Sequence, residues 1–284
     1  MASVKLITRR IKSSKNIAQI TRAMEMVAAS RMKKAQDAAL RNRAYADKIL
    51  QATRELSAKT EKTLHPLLSS GNPKGKSLII VISSNKGLAG GLFSNLFREV
   101  DVLFPHNIQA DYITVGKKGE SFVLHSGRKL LADFSSLSPF TESVPPITKA
   151  LVEGFLNGTY KDVYVVYSSF INALRQIPAK KQILPLTGFE DQKDESSHFA
   201  NFTIEPDVET VLESLLPHYL ENQIRAAIYD AEASEHSARM VAMKNATDAA
   251  LDLMDELTLI YNKIRQEKIT YEIADTVTAR MALE

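Results

Sequence analysis

The sequence predicts an α/β fold joined to a long antiparallel α-helical coiled coil. The two ends of the chain form the coiled coil, and the middle segment forms a Rossmann-like α/β domain. Three observations predict this. All 11 glycines lie between Gly71 and Gly188, and all 10 prolines between Pro66 and Pro217, in a chain of 284 residues. Gly and Pro disfavour helix interiors by about 1 and about 3 kcal/mol relative to Ala, so both ends read as long unbroken helices. Charge is segregated in the same way. Residues 1–62 hold 15 Lys and Arg against 5 Asp and Glu, residues 63–206 hold 14 against 13, and residues 207–284 hold 7 against 15. A basic arm and an acidic arm attract each other as a pair, a pattern hidden in the whole-chain net charge of +3. Finally, the middle segment alternates apolar strand-like runs with amphipathic ones, as a parallel α/β sheet requires.

The first arm spans residues 1–62. Ile17, Ile20, Met24, Val27 and Arg31 follow a 3-4-3-4 spacing, which Ile7 and Ile11 extend backwards. This reads as a heptad-like seam, interrupted at Ser14 and Arg31. Farther on the seam turns small, through Ala28, Ala29, Ala35, Ala38, Ala39, Ala44 and Ala46, so a partner helix can come close. A helix of this arm spans roughly 85 Å.

Residues 63–206 form the middle domain. Pro66, Gly71, Pro73 and Gly75 mark a linker. Residues 77–83 read as a buried strand and 88–104 as a helix. Strand 110–115, helix 117–126, strand 129–134 and helix 147–156 follow. Residues 162–168 form another strong strand, and 181–186 an edge strand.

The second arm spans residues 207–284. Asp207, Glu209 and Glu213 load its first turns with acid, as the helix dipole favours. Pro217 predicts an early bend. Met254, Leu257, Tyr261 and Ile264 are spaced 3-4-3, and Ile269, Ile273, Val277 and Met281 then fall four apart. The arm spans roughly 110 Å, so it overhangs the first arm by roughly 25 Å. Ser234 to Met240 is a polar stretch in mid-helix, which predicts exposure to a partner. The competing arrangement folds each arm into several shorter helices, but that needs turns, and the arms lack turn residues.

Composition excludes several kinds of chemistry. The chain has no Cys, so it has no disulfide framework, thiol nucleophile or zinc-thiolate site. The six His are scattered without an H-E-x-x-H pattern, and no G-x-S-x-G marks a nucleophile. No catalytic residue, cofactor site or metal site is expected. No run approaches 18 apolar residues, so no transmembrane helix is expected, and the basic N-terminus lacks the apolar core of a secretory signal. Gly87-Leu-Ala-Gly90-Gly91 follows the first strand, where phosphate loops sit, but does not match G-x-G-x-x-G; it reads as a tight strand-to-helix turn. Gly71 to Ser77 resembles a P-loop one residue short, yet it precedes a strand instead of following one. A nucleotide-binding enzyme and a nucleic-acid-binding coiled coil that uses Lys33, Lys34, Arg41 and Arg43 remain the two competing classes.

Three blocks carry a family resemblance. They are Ile17-Ala-Gln-Ile-Thr-Arg-Ala-Met-Glu-Met-Val-Ala-Ala-Ser-Arg-Met-Lys-Lys-Ala-Gln36, Ser84-Asn-Lys-Gly-Leu-Ala-Gly-Gly-Leu92, and Ser234-Glu-His-Ser-Ala-Arg-Met-Val-Ala-Met-Lys-Asn-Ala-Thr247 with its continuation through Tyr261 to Ile273. Taken together and in order, they resemble the gamma subunit, or central rotor shaft, of F-type ATP synthases, of the bacterial type. The chain departs from the family pattern at Asn85, Ala89 and Phe93 in the glycine turn and at Ala279 and Arg280 near the end. The resemblance implies a non-catalytic subunit that couples ion flow to ATP synthesis or hydrolysis. Implied partners are three alpha and three beta subunits, an epsilon subunit and a membrane c-subunit ring, with no nucleic acid and no membrane insertion. The implied location is peripheral, on the cytoplasmic face of the bacterial cell membrane. Residue by residue, Met24, Lys33, Arg239, Arg265, Gln266, Thr270 and Glu272 are the implied contacts with the alpha/beta hexamer.

Overall fold

The computed structural model describes residues 4–58, 66–69, 71–106, 108–186, 205 and 207–281, with side chains 54–58 outside the described set. Of the expected linker, residues 63–76, positions 63–65 and 70 lie outside the described residues, as does the segment 187–204; Pro66–Leu68 forms a single helical turn that buries Leu67. Element order is α1 (Val4–Ala58), β1 (Lys76–Ile82), α2 (Leu92–Leu103), β2 (Ala110–Val115), α3 (Lys117–His125), β3 (Lys129–Asp133), α4 (Val144–Leu156), β4 (Tyr160–Phe170), β5 (Gln176–Leu184) and α5 (Val208–Met281). The chain divides into two compact units, one holding residues up to Ala29 and from Arg239, the other Ser30–Ala238.

Absence of Gly and Pro explains the 55-residue length of α1. In α5, 74 residues long, the single Pro217 sits inside the helix without ending it. Pro217 lacks the N–H that would reach the carbonyl four residues back, and its ring crowds that carbonyl; its neighbours Leu216 and Leu220 are fully buried, so packing holds the helix across the gap. Asp207 caps the helix start. Its carboxylate accepts from the Thr210 backbone N–H at 2.8 Å and from the Thr210 hydroxyl at 2.9 Å. These bonds hold the Asp207 carboxyl below its usual value.

Within Ser30–Ala238 the sheet order is β3-β2-β1-β4-β5. The first four strands are mutually parallel, with Ile80 level with Ile113 on one side and Val165 on the other. Only β5 is antiparallel. The reason is connection length. Five residues, 171–175, join β4 to β5, which allows a hairpin but no crossover helix. The edge strand therefore starts at Gln176, five residues before the sequence-based expectation. Helix α2 likewise starts at Leu92 and not at Leu88, because Leu88 and Gly90 adopt left-handed backbone in the turn, with φ of 63° and 58°.

Alternation along β1 divides the core into two layers. Leu78, Ile80 and Ile82 pack with Ile147, Leu151 and Phe155 of α4 and with Leu212, Leu216, Leu220 and Ile224 of α5. Ile79 and Val81 face the other way, onto Leu96 and Val100 of α2 and Val123 of α3. One side of the sheet is thus covered by α4 and α5, the other by α2 and α3.

Candidate functional site

Within the first unit α1 and α5 pair as an antiparallel coiled coil. Buried residues on α1 are Ile7, Ser14, Ala18 and Ala28; on α5 they are Arg239, Met243, Thr247, Ala250 and Leu257. The hydroxyls of Thr21 and Thr247 meet at 2.6 Å. This contact places Ser14 level with Met254, and Ile7 level with Tyr261. The seam is therefore largely small residues, which bring the two backbones close.

This seam corrects the expected one. Ile17, Ile20 and Val27 are 49%, 60% and 54% exposed, and Arg31 is exposed too. Ile7 is buried as expected and Ile11 and Met24 are half-buried, but at Ile17, Ile20 and Val27 the expected stripe lies one residue, about 100°, out of phase. Small side chains, alanine, serine and threonine, take the inner position through residues 14–28 because a close helix pair has little room there for side chains as large as isoleucine. The isoleucine stripe is left on the outside, where a run of exposed apolar side chains marks a surface for another protein. The expected stripe on α5 fares better, with Leu257 buried and Met254, Tyr261 and Ile264 half-buried.

Since Val4 lies near the level of Ile264, α5 from Arg265 to Met281 has no α1 residue beside it among the described residues. No described side chain from 265 onward is buried. The overhang is 17 residues, roughly 25 Å of helix. It nevertheless carries Ile269, Tyr271, Ile273, Val277 and Met281, between 47% and 73% exposed.

Four of the seven candidate contact residues, Arg265, Gln266, Thr270 and Glu272, lie on this overhang, all exposed. The Thr270 hydroxyl donates to the Gln266 carbonyl at 2.9 Å, and Lys268 pairs with Glu272 at 3.4 Å. Met24 is half-buried on α1 and Lys33 is exposed farther along it. Arg239 is only 8% exposed and is engaged with other groups of the chain. The structure thus gathers four candidates on one overhang; Met24 and Arg239 lie elsewhere in the same unit, and Lys33 belongs to the other unit. The exposed isoleucine stripe was the surface that sequence reasoning missed. Its signal was present as period, but period does not say which face is inside.

The polar stretch on α5 is a second correction. Ser234 and Ser237 are completely buried, and Glu235 is 8% exposed. The Ser234 hydroxyl donates to the Ser168 carbonyl of β4 at 2.8 Å, and the Ser237 hydroxyl donates to the Ala173 carbonyl of the β4–β5 hairpin at 2.7 Å. Serines here satisfy backbone carbonyls that the end of the sheet leaves without ladder partners. One turn earlier, burial raises the carboxyl of Asp230, while Lys181 of β5, Arg43 of α1 and the Ser169 hydroxyl pull it back. Burial, followed by the neighbouring Glu235, raises the Glu232 carboxyl to about 7.

The glycine turn is held by side chains of the chain itself. The Asn85 amide donates to the Ser135 carbonyl at 2.8 Å, and its oxygen accepts from the Lys117 N–H at 3.0 Å. Ser83 donates to the carbonyls of Val115 and Gly116 and accepts from the Gly119 N–H at 2.8 Å. Gly116, at φ 98°, is required there, because a Cβ would sit 2.8 Å from the Ser84 nitrogen. These bonds tie the carboxyl ends of β1 and β2 to the loop after β3. Among the described residues no group of His, Asp or Glu is placed to hold a metal ion, and no helix is long and apolar enough to cross a membrane.

A family model described as ATP synthase matches residues 3–283. The ATP synthase gamma chain of Opitutus terrae is 43% identical over 297 residues, covering 99% of each chain. That of Dehalococcoides mccartyi strain 195 is 40% identical over 288 residues, covering 100% of each. Among solved structures, a chain of the Euglena gracilis mitochondrial ATP synthase, in a structure of OSCP, F1 and c-ring, superposes with a TM-score of 0.65 at 20% identity, covering 99% of this chain and 94% of that one. A chain of the Tetrahymena thermophila mitochondrial ATP synthase central stalk and c-ring gives a TM-score of 0.59 at 24% identity, covering 80% and 99%. The structural likenesses show a shared fold.

Proposed function

The chain belongs to the gamma-chain family of ATP synthases, and from that premise we infer that it is the central stalk of the F1 sector of a proton-translocating rotary ATP synthase. The observation that carries the reading is the tip of α5. An overhang of 17 residues with five exposed large apolar side chains needs another protein around it. A cavity at the centre of a hexamer of alternating alpha and beta subunits meets that need.

In this reading the arms, residues 1–62 and 207–284, supply the shaft, and residues 63–206 form the domain that engages the epsilon subunit and the membrane c-subunit ring. Ion flow turns the ring, and the shaft turns with it. The shaft presents different surfaces at different angles, isoleucines at one and basic side chains at another. Each beta subunit therefore meets a different face, and differential contact biases its conformation and nucleotide affinity. The chain contributes no catalytic group and binds no cofactor. It works at the cytoplasmic face of the bacterial membrane, held there by its partners.

Arg265, Gln266, Thr270 and Glu272 are the proposed hexamer contacts at the tip, with Met24 and Lys33 along α1. Arg239 acts mainly by holding α5 in place, since it offers little surface. Exposed ion pairs are each worth about 0–1 kcal/mol, so contact is spread over many residues.

Co-expression of the full chain with alpha and beta subunits tests the reading. One copy should co-purify with each alpha/beta hexamer, and ATP hydrolysis should drive proton pumping in reconstituted vesicles. A full chain that stays outside a well-formed hexamer, or that binds ATP stoichiometrically by itself, overturns it.

A further inference from the structure

A cleft of about 510 Å³ opens at the amino ends of β1, β2 and β3, lined by none of the residues proposed above to contact the hexamer. Its walls are Lys76 at the start of β1, Asp111 in β2, Lys129 at the start of β3, Arg128 just before it, and His106 and Ile108 in the loop after α2. Cations dominate. Arg128 is paired with Asp101, while Lys76 and Lys129 share one carboxylate, that of Asp111.

That carboxylate is an internal counter-ion. Asp111 is 4% exposed. Its oxygens take Lys129 at 3.2 Å, Lys76 at 3.9 Å and the Tyr160 hydroxyl at 3.3 Å. The lysine side chains remain 41% and 62% exposed, so both ammonium groups keep N–H donors for a ligand. The arginine is rigid. Arg128 donates to the Tyr112 hydroxyl at 2.9 Å, to Asp101 at 2.6 Å and to the Phe104 carbonyl at 3.1 Å, and stacks over Tyr112 and Phe122. It is nine-tenths buried, yet its Nε has no hydrogen-bond partner among the described residues. That nitrogen is itself sealed from the surface, so the guanidinium contributes a fixed positive charge at the cleft wall, partly balanced by Asp101.

We propose that this cleft binds a phosphate group carried on a larger organic molecule. Two exposed ammonium groups are donors that phosphate recognition uses, and the fixed guanidinium behind them adds positive charge. The volume exceeds that of free phosphate, and Pro105, Ile108 and Tyr112 offer an apolar wall for the rest of the ligand. A soluble phosphate monoester and the headgroup of an acidic lipid share this chemistry.

Calorimetry on the full chain tests the proposal, with glycerol 3-phosphate as the soluble probe and phosphatidylcholine vesicles containing phosphatidic acid as the lipid probe. Saturable binding to either supports it, and the probe that binds identifies the source. Lys76→Gln with Lys129→Gln should weaken that binding about tenfold, while Lys149→Gln on α4 should leave it unchanged. If the double variant unfolds, Lys129→Gln by itself should weaken binding about threefold. Absence of saturable binding to both probes, or equal binding by the lysine variants, overturns the proposal. So does displacement of the probe by poly-glutamate at lower concentration than by glycerol 3-phosphate, which would mark the cleft as a seat for an acidic protein segment.

Discussion

Thr21 and Thr247 touch hydroxyl to hydroxyl at 2.6 Å, across a separation of 226 residues in sequence. Each also has a carbonyl on its own helix, Ile17 for Thr21 at 3.0 Å and Met243 for Thr247 at 2.9 Å. One hydroxyl can thus donate across the pair while the other donates within its helix. The contact sets the register of the coiled coil and leaves no room for a larger side chain.

Thr247→Val removes one hydroxyl but keeps the shape, and Thr21 can turn to its own carbonyl. The expected loss is about 1 kcal/mol. Thr247→Leu must push the helices apart and should cost about 1–3 kcal/mol. Urea denaturation of the full chain compares the two, and a leucine variant as stable as the valine variant would refute a close seam.

Ser234→Ala leaves the buried Ser168 carbonyl without its donor. The expected loss is about 1–3 kcal/mol. Ser234→Thr, which keeps a hydroxyl, tests whether the hydrogen bond or the small volume matters. Recovery of most of the stability with threonine would assign the effect to the bond.

Stability should fall as pH rises from about 4.5 to about 7, through Glu232. Its folded carboxyl titrates near 7, raised from the ordinary 4.5, so the folded chain holds the proton more tightly than the unfolded one. The favourable contribution is complete below the ordinary value and is lost as pH passes through the raised one. Glu232→Gln should flatten this slope and gain about 1–3 kcal/mol at pH 8, less than the full shift because the group is half-buried. Denaturation at several pH values reads it; an unchanged slope in the glutamine variant would remove Glu232 as the cause.

Asn85→Asp exchanges a donor for an acceptor beside the Ser135 carbonyl. The bond to the Lys117 N–H can survive, but the amide donor is lost and two oxygens face each other. The expected cost is about 1–2 kcal/mol, measured by thermal unfolding. A melting temperature within error of the parent would mean that the loop after β3 does not depend on this link.

Removing residues 265–284 should leave the melting temperature of the isolated chain nearly unchanged, because no described side chain there is buried. In a reconstituted complex the same truncation should reduce the proton pumping obtained per ATP hydrolysed. Full coupling by the truncated chain would deny the tip its proposed role.

Most elements were legible in the sequence. Strand β2 and the starts of α3 and β3 fall where periodicity and turn residues put them, since a buried run such as Tyr112-Ile-Thr-Val115 between breakers has few alternatives. The candidate site was legible only in part. Arg265 to Glu272 sits on an exposed tip, because helix length follows from counting residues. The Ser234–Met240 stretch was misread, because its polar side chains meet carbonyls contributed by residues 168 and 173, which are distant in sequence.

What the sequence determined by itself is the existence and order of the elements and the great length of the two terminal helices, because Gly, Pro and apolar period act locally along the chain. Tertiary structure decided which face of each long helix is inside. The isoleucine stripe at 17, 20 and 27 and the small-residue stripe at 14, 18, 21 and 28 share one period and differ by a single residue in phase. Hydrophobicity favours burying the first. Close approach of two backbones, locked where Thr21 meets Thr247, requires the second, and that steric choice exists only once both helices are present.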